Sequence, residues 1–302
     1  MARPAMEALP GARVGHWTAP GGKSGVTAIV FDELSPASVW VAGGAPGTQE
    51  TELLDPSRLV PGVDAIIFSG GSAFGLAAAD GARRFLKERG RGFAAGDFRV
   101  PIVPSAVIFD LSVSGGETIP GEREGYAAME DAQRGGAPRM GRVGAGAGAT
   151  VGKYLGVSRA APGGVGLWVE QVEGISVGAL AVVNSYGAVV DSQTGSIAAG
   201  PRGESGAFVD YFNAAPQLPR FGGATTLCAV VTNARLDKAA ARHVAVMAHG
   251  GVARATRPSH TPYDGDAVFA VSTGDGDMEL ARVGAYAARA VERAILAAVT
   301  SG

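Results

Sequence analysis

The residues around position 225 have the makings of a nucleophile. A stretch rich in Gly and Pro ends Phe221-Gly222-Gly223-Ala224 and runs directly into Thr225-Thr226 at the head of an apolar segment. If the Ala224–Thr225 peptide is cut, Thr225 becomes N-terminal, and its α-amine, with an ordinary pKa of about 8, sits beside its own hydroxyl. An amine of that basicity can take the hydroxyl proton near neutral pH, which is the threonine form of N-terminal nucleophilic catalysis. Gly222, Gly223 and the small Ala224 permit the strained turn that an N-to-O acyl shift requires. The plain alternative is an ordinary loop entering a strand.

Other segments that suggest chemistry fail on spacing or context. The cluster Gly144 to Lys153 has Ala147 and Tyr154 where a phosphate-binding loop needs Gly and Ser/Thr. Gly144, Gly146 and Ala149 satisfy the looser G-x-G-x-x-A form, but no strand precedes them. Gly174-Ile175-Ser176-Val177-Gly178 spells a nucleophile elbow. A strand-like run follows it, however, instead of the helix that elbow requires, so Ser176 reads as a strand residue. His16, His243, His249 and His260 show no metal-ligand spacing and read as structural or hydrogen-bonding residues. The single Cys228 excludes an intrachain disulfide and a cysteine zinc site, and reads as a small buried hydrophobe.

The elements that must position these residues are set by composition and pattern. With 302 residues, 46% hydrophobic, 18% charged and 47 glycines without a collagen period, the chain reads as globular, its glycines serving as punctuation. A net charge of -2 without a Lys/Arg block argues against nucleic-acid or anionic-membrane partners. No secretory h-region or apolar span is legible, so the expected location is the cytoplasm. Strand signals fall at 25–31, 37–42 and 64–69. A helix follows Gly70-Gly71 and stops at Gly90, and a second lies near 126–133. Residues 166–191 read as a three-stranded meander, 201–223 as loop, 226–232 as strand, 237–254 as helix, 267–273 as strand and 277–300 as a closing helix. The mixture favours a layered α/β or α+β sandwich.

Several motifs together resemble one family. They are Thr51-Glu52-Leu53-Leu54-Asp55, the run Ile66-Ile67-Phe68-Ser69-Gly70-Gly71-Ser72-Ala73-Phe74-Gly75-Leu76, and Val103-Pro104-Ser105-Ala106-Val107-Ile108-Phe109-Asp110. Met247-Ala248-His249-Gly250-Gly251 and Arg257-Pro258-Ser259-His260-Thr261-Pro262-Tyr263-Asp264-Gly265-Asp266 complete the set. Along nearly the whole chain, from about residue 12 to 300, the sequence resembles the P1/DmpA family (peptidase family S58). These are self-processing aminopeptidases and amidases that include nylon-oligomer hydrolase and the β-aminopeptidases.

The resemblance implies an α+β fold, a four-layer αββα sandwich similar to N-terminal nucleophile hydrolases, in one domain over 1–302. It also implies autocleavage between Ala224 and Thr225 into 1–224 and 225–302. Thr225 falls on the nucleophile, Asp264 and Asp266 on the paired acids of the nylon-hydrolase branch, and Lys153 and Asn184 on its supporting residues. Physically, Asp264 and Asp266 lie two apart and share a face if extended, one to hold the Thr225 amine and the other its hydroxyl. A simple Asp-Gly turn is the alternative. Lys153, delivered by the glycine cluster, or Asn184 could donate to a developing oxyanion. Ala224 stands where the nylon-hydrolase branch has Asn, and Phe109 where it has Tyr, so no phenol role is carried over. Asp264 and Asp266 also differ from the Ser and Glu of the β-aminopeptidase branch.

The implied activity is hydrolysis of a small peptide or ω-amino-acid oligomer amide through an acyl-enzyme. No metal or organic cofactor is implied, and a homo-oligomer, a tetramer of processed pairs, is expected. An acyltransferase on the same machinery and an unprocessed, non-catalytic binding protein are the alternatives.

Overall fold

A computed structural model describes residues 8–216 and 223–301. Residues 221 and 222 of the glycine stretch before Thr225 lie outside these described residues. Hydrogen bonding runs through nine strands, and apolar packing sorts them into two leaves that share Gly25–Val41. One half of that strand pairs antiparallel with Ala12–Thr18 and Gly62–Ser69; Ser105–Val107 and Thr48–Gln49 extend this leaf. The other half pairs antiparallel with Ala267–Gly276, which runs parallel to Thr225–Ala234. Ile175–Asn184 and Gly164–Val172 finish the second leaf, antiparallel.

Side-chain alternation shows how the layers stack, because successive residues of a strand point to opposite faces. Ile29, Phe31, Ile66 and Phe68 from one leaf meet Leu180, Leu227, Ala229, Val231 and Phe269 from the other in one buried cluster. The Phe68 and Phe269 rings lie 5.9 Å apart across that junction. Residues of the opposite parity face outward. Ala28, Val30, Ala65 and Ile67 pack on helices α1 (Ala78–Lys87) and α3 (Glu122–Arg134), with the single turn α2 (Leu111–Ser114) between these helices in sequence. Val177, Ala179, Cys228, Val230, Val268 and Ala270 pack under α4 (Lys238–Ala255) and α5 (Leu280–Thr300).

The result is the four-layer α+β sandwich. Strands covered on both faces must be apolar along their covered length, which is why 227–231 and 267–271 read as continuous hydrophobic runs. Asp237 caps α4 by accepting from the Ala240 amide at 2.8 Å, as its place in the sequence suggests.

Two local expectations are corrected. The signals at 25–31 and 37–42 belong to one 17-residue strand. Asp32 to Pro36 look like punctuation, yet the chain stays extended there and absorbs the change as a register shift between Val30 and Ser35. The expected third meander strand, Ala188–Val190, leaves the large sheet and pairs with Ile197–Ala199 and Thr256–Arg257. No helix among the described residues is long and apolar enough to cross a membrane.

Candidate active site

Thr225 is the first residue of Thr225–Ala234, and the strand register selects its neighbours. Antiparallel pairing sets Asn184 opposite Thr225. The adjoining parallel strand begins at Ala267, so the Asp264-Gly265-Asp266 segment before it lies alongside 224–226, with a bridge between Ala224 and Asp264. Gly152, at φ +72°, turns the glycine-rich segment so that Lys153 enters the same space. That segment is pinned to the turn after Asn184 by Gly152 N–H to Gly187 O (2.9 Å) and Lys153 N–H to Tyr186 O (2.8 Å). Thr225, Asp264, Asp266, Lys153 and Asn184 are therefore brought together, all of them buried.

The peptide before Thr225 is held at its carbonyl. The Thr225 hydroxyl donates to the Ala224 oxygen at 2.5 Å, and the Gly265 N–H donates to the same oxygen at 2.9 Å. Gly265 has no room for a side chain: a Cβ would lie 2.7 Å from Ala45 O and 3.0 Å from Thr225 Oγ1. Ala224 packs in a cluster with Tyr154 and Tyr186, flanked by Tyr211 and Tyr263. A cleft of about 330 Å³ opens onto this point, walled by Ala45, Pro46, Ser72, Val107 and Phe109 besides the 223–225 segment.

In the uncut chain, where Thr225 has no free amine, the two carboxylates hold other groups. Asp264 accepts from the Tyr186 amide at 3.0 Å and from both the amide and the hydroxyl of Thr261. Asp266 accepts from the Thr226 amide at 2.6 Å and from His260. Asp266 thus braces the backbone one residue beyond Thr225, whereas Asp264 ties the turn at Tyr186 to the Thr261 segment. Asn184 is similarly committed, its side chain accepting from Thr150 N–H (2.9 Å) and donating to Phe109 O (3.2 Å). With the Ala224–Thr225 bond intact, the backbone donor on the Ala224 oxygen is Gly265 N–H.

Burial sets the electrostatics. Lys153 Nζ donates to Asn184 O (2.7 Å) and Gly223 O (2.8 Å). Desolvation lowers its pKa to about 7, although Asp264, Asp110 and Asp266 oppose the shift. Desolvation and the neighbouring Asp266 charge raise Asp264 to about 6. Asp110, buried beneath the cleft wall, is also raised by desolvation, while the Gly71 amide bonds it at 2.7 Å.

Sequence reading missed the Gly265 and Tyr186 N–H groups, since every residue but proline carries one and none is marked by residue type. His260 was given a hydrogen-bonding role, which it has, but its place against Asp266 was not foreseen. The remaining candidates lie elsewhere. Ser176 sits within a strand and donates to Gln171 at 2.7 Å, His16 bonds Thr27, and His243 is exposed. Among the described residues no three His, Cys, Asp or Glu side chains are placed to share a metal ion.

The four-layer αββα sandwich is the fold of N-terminal nucleophile hydrolases. Two solved structures share the fold over 96% of this chain and 84% of theirs. A Burkholderia sp. β-aminopeptidase has a TM-score of 0.68 at 22% identity. The L-aminopeptidase D-Ala-esterase/amidase of Ochrobactrum anthropi, described as a variant of the Ntn hydrolase fold, scores 0.69 at 20%. The chain belongs to peptidase family S58, whose sequence model matches residues 5–302. Among its relatives, an uncharacterized aminopeptidase of Mycobacterium tuberculosis is 41% identical over 323 residues, covering 96% of this chain and 91% of that one. A 6-aminohexanoate-oligomer endohydrolase of Kocuria sp. is 32% identical over 280 residues, covering 89% and 75%. The protein is a hydrolase of peptide or amide bonds.

Proposed function

We propose that residues 1–302 form one domain, that the chain cuts itself between Ala224 and Thr225, and that it then uses Thr225 as an N-terminal nucleophile. The reading is carried by one observation: the Thr225 hydroxyl and the Gly265 N–H meet on the oxygen of the peptide that would be cut. In maturation, Oγ1 attacks the Ala224 carbonyl carbon, and Gly265 N–H steadies the charge that grows on its oxygen. The C–N bond breaks as the nitrogen takes up a proton, leaving an ester. Water hydrolyses that ester to a carboxylate at 224 and a free α-amine on Thr225.

Lys153, whose Nζ holds the Gly223 carbonyl two residues before Thr225, is the amine we assign to receive the hydroxyl proton. A neutral amine has two N–H groups, and Lys153 spends two, on Asn184 O and Gly223 O, which leaves its lone pair for a proton. With its pKa near 7 the neutral form becomes the majority above that pH. Processing of freshly translated chain should therefore accelerate as pH rises through about 7 and then level off, followed on denaturing gels. A rate flat from about pH 5 to 9 would remove Lys153 from this role.

In turnover the Thr225 amine takes over as base. It accepts the hydroxyl proton as Oγ1 attacks the substrate carbonyl and passes it to the departing amine, and water then releases the acid. The substrate is a small peptide or linear amide, as the names of both kinds of relative suggest. Neutral, largely apolar walls around the cleft suit an acyl chain without charge. Intact chain persisting through long incubation, or a small fragment beginning anywhere but Thr225, defeats the proposal.

Gly265→Ala tests the oxygen-binding geometry. Its methyl would crowd Thr225 Oγ1 and Ala45 O, and displacing a reacting group by an ångström costs about 10²-fold. Processing and kcat should fall by about that factor while the melting curve stays cooperative. An Ala variant as active as the parent would show that the tight approach is unimportant.

A further inference from the structure

Asp266 is held by three donors, two of them from one residue. Its Oδ1 accepts from Thr226 N–H at 2.6 Å, and its Oδ2 accepts from both the backbone N–H (3.1 Å) and Nδ1 (2.7 Å) of His260. His260 is one of four described non-glycine residues with positive φ, at +51°. Left-handed backbone is costly for a residue with a Cβ, and a residue held there signals that its surroundings require it. Here the conformation brings main-chain and side-chain donors of His260 onto a single carboxylate oxygen. The ring is held from behind by His249 of α4, edge to face at 4.8 Å, whose Nε2 donates to Trp40 O at 2.9 Å.

We infer that His260 is a positioning residue: it clamps Asp266 so that the carboxylate fixes the Thr226 amide, and through that peptide the place of the Thr225 hydroxyl. This rests on the reading of Thr225 as nucleophile. An unclamped carboxylate could rotate away from Thr226 towards Lys153, whose pKa already responds to its charge. The charges around His260 favour the clamp. Burial pushes its pKa down, but the hydrogen bond and charge of Asp266, with the charge of Asp264, outweigh that and leave it above the usual imidazole value. His249, its other titratable neighbour, is pushed down to about 4 by burial and stays neutral.

Two substitutions isolate the side-chain donor, because Gly and Asn both tolerate left-handed backbone. His260→Gly removes the donor, and His260→Asn restores an N–H close to where Nδ1 stood. In turnover of an amide substrate, the Gly variant should lose about 10- to 100-fold in kcat with KM within about threefold, as a lost hydrogen bond to a charged group implies. The Asn variant should stay within about threefold of the parent in both. A Gly variant with full kcat, or an Asn variant as slow as Gly, overturns the clamp. Thr225→Ala run beside them separates the two ideas: turnover surviving in that variant defeats the nucleophile, whereas its loss alongside a fully active Gly variant defeats only His260.

Discussion

Thr225→Ala leaves the chain whole at 30.3 kDa and without amide hydrolysis. The substitution takes away the only hydroxyl that reaches the Ala224 carbonyl oxygen among the described residues, so neither the acyl shift nor the later acyl-enzyme can form. Removing the nucleophile from a hydrolase costs about 10⁶-fold in the best-studied case, and a fall of at least about 10³-fold is expected here. Thr225→Ser, which keeps an oxygen at the same place, should still process. A gel following both variants over days, with N-terminal sequencing of any fragment, decides the matter. Cleavage in the Ala variant, or unimpaired turnover, would require another nucleophile.

Lys153→Met separates catalysis from stability. Met fills a similar volume but carries neither proton nor donor, so processing should slow by about 10²- to 10⁴-fold, the range of general acid–base contributions. Stability should change in its dependence on pH. Lys153 has a pKa of about 7 when folded against the ordinary lysine value of 10.5, so between those values the unfolded chain holds a proton that the folded chain lacks. Parent stability therefore rises with pH across that window, and the penalty of the buried ammonium is felt in full below about 7. The Met variant should lack this rise, visible as a flatter plot of urea midpoint against pH. An unchanged slope, or normal processing, would show that Lys153 does not titrate as its burial implies.

How much of this was legible depended on whether residue type or geometry carried the information. Strands announced themselves as apolar runs at 226–232 and 267–273, and α4 and α5 as helical segments close to their observed bounds, because both signals are written in side chains. The five site residues came from motif resemblance, and strand register then brought them together. What residue type could not reveal were the backbone contacts. In the uncut chain Asp264 and Asp266 brace Tyr186, Thr226 and Thr261 N–H groups, contacts that no residue type announces. The 47 glycines were equally opaque. Many stand where backbones nearly touch, as in the crossing of α1 and α3, where a Cβ on Gly81 would fall 1.9 Å from Glu122 O and one on Gly125 1.8 Å from Ala78 O. Such closeness joins residues distant in sequence and leaves no local pattern.

The strand order gives a break after residue 224 an unusual character. Thr225–Ala234 and Ala267–Gly276 lie in the middle of the hydrogen-bonded array, flanked by Ile175–Asn184 on one side and Gly25–Val41 on the other. The final 78 residues (302 less 224) are therefore interleaved with the rest instead of appended to it. Opening the bond changes the connectivity of the polymer but not one rung of the ladder between these strands. The two pieces would behave as a mortise and tenon: inseparable without dismantling the leaf that holds both strands, and unable to trade partners with a neighbouring molecule. Once denatured, the nicked protein must find its mate by diffusion. Under the proposed cleavage, folding would be unimolecular only before the cut, and the uncut chain would act as the template on which the pair is assembled.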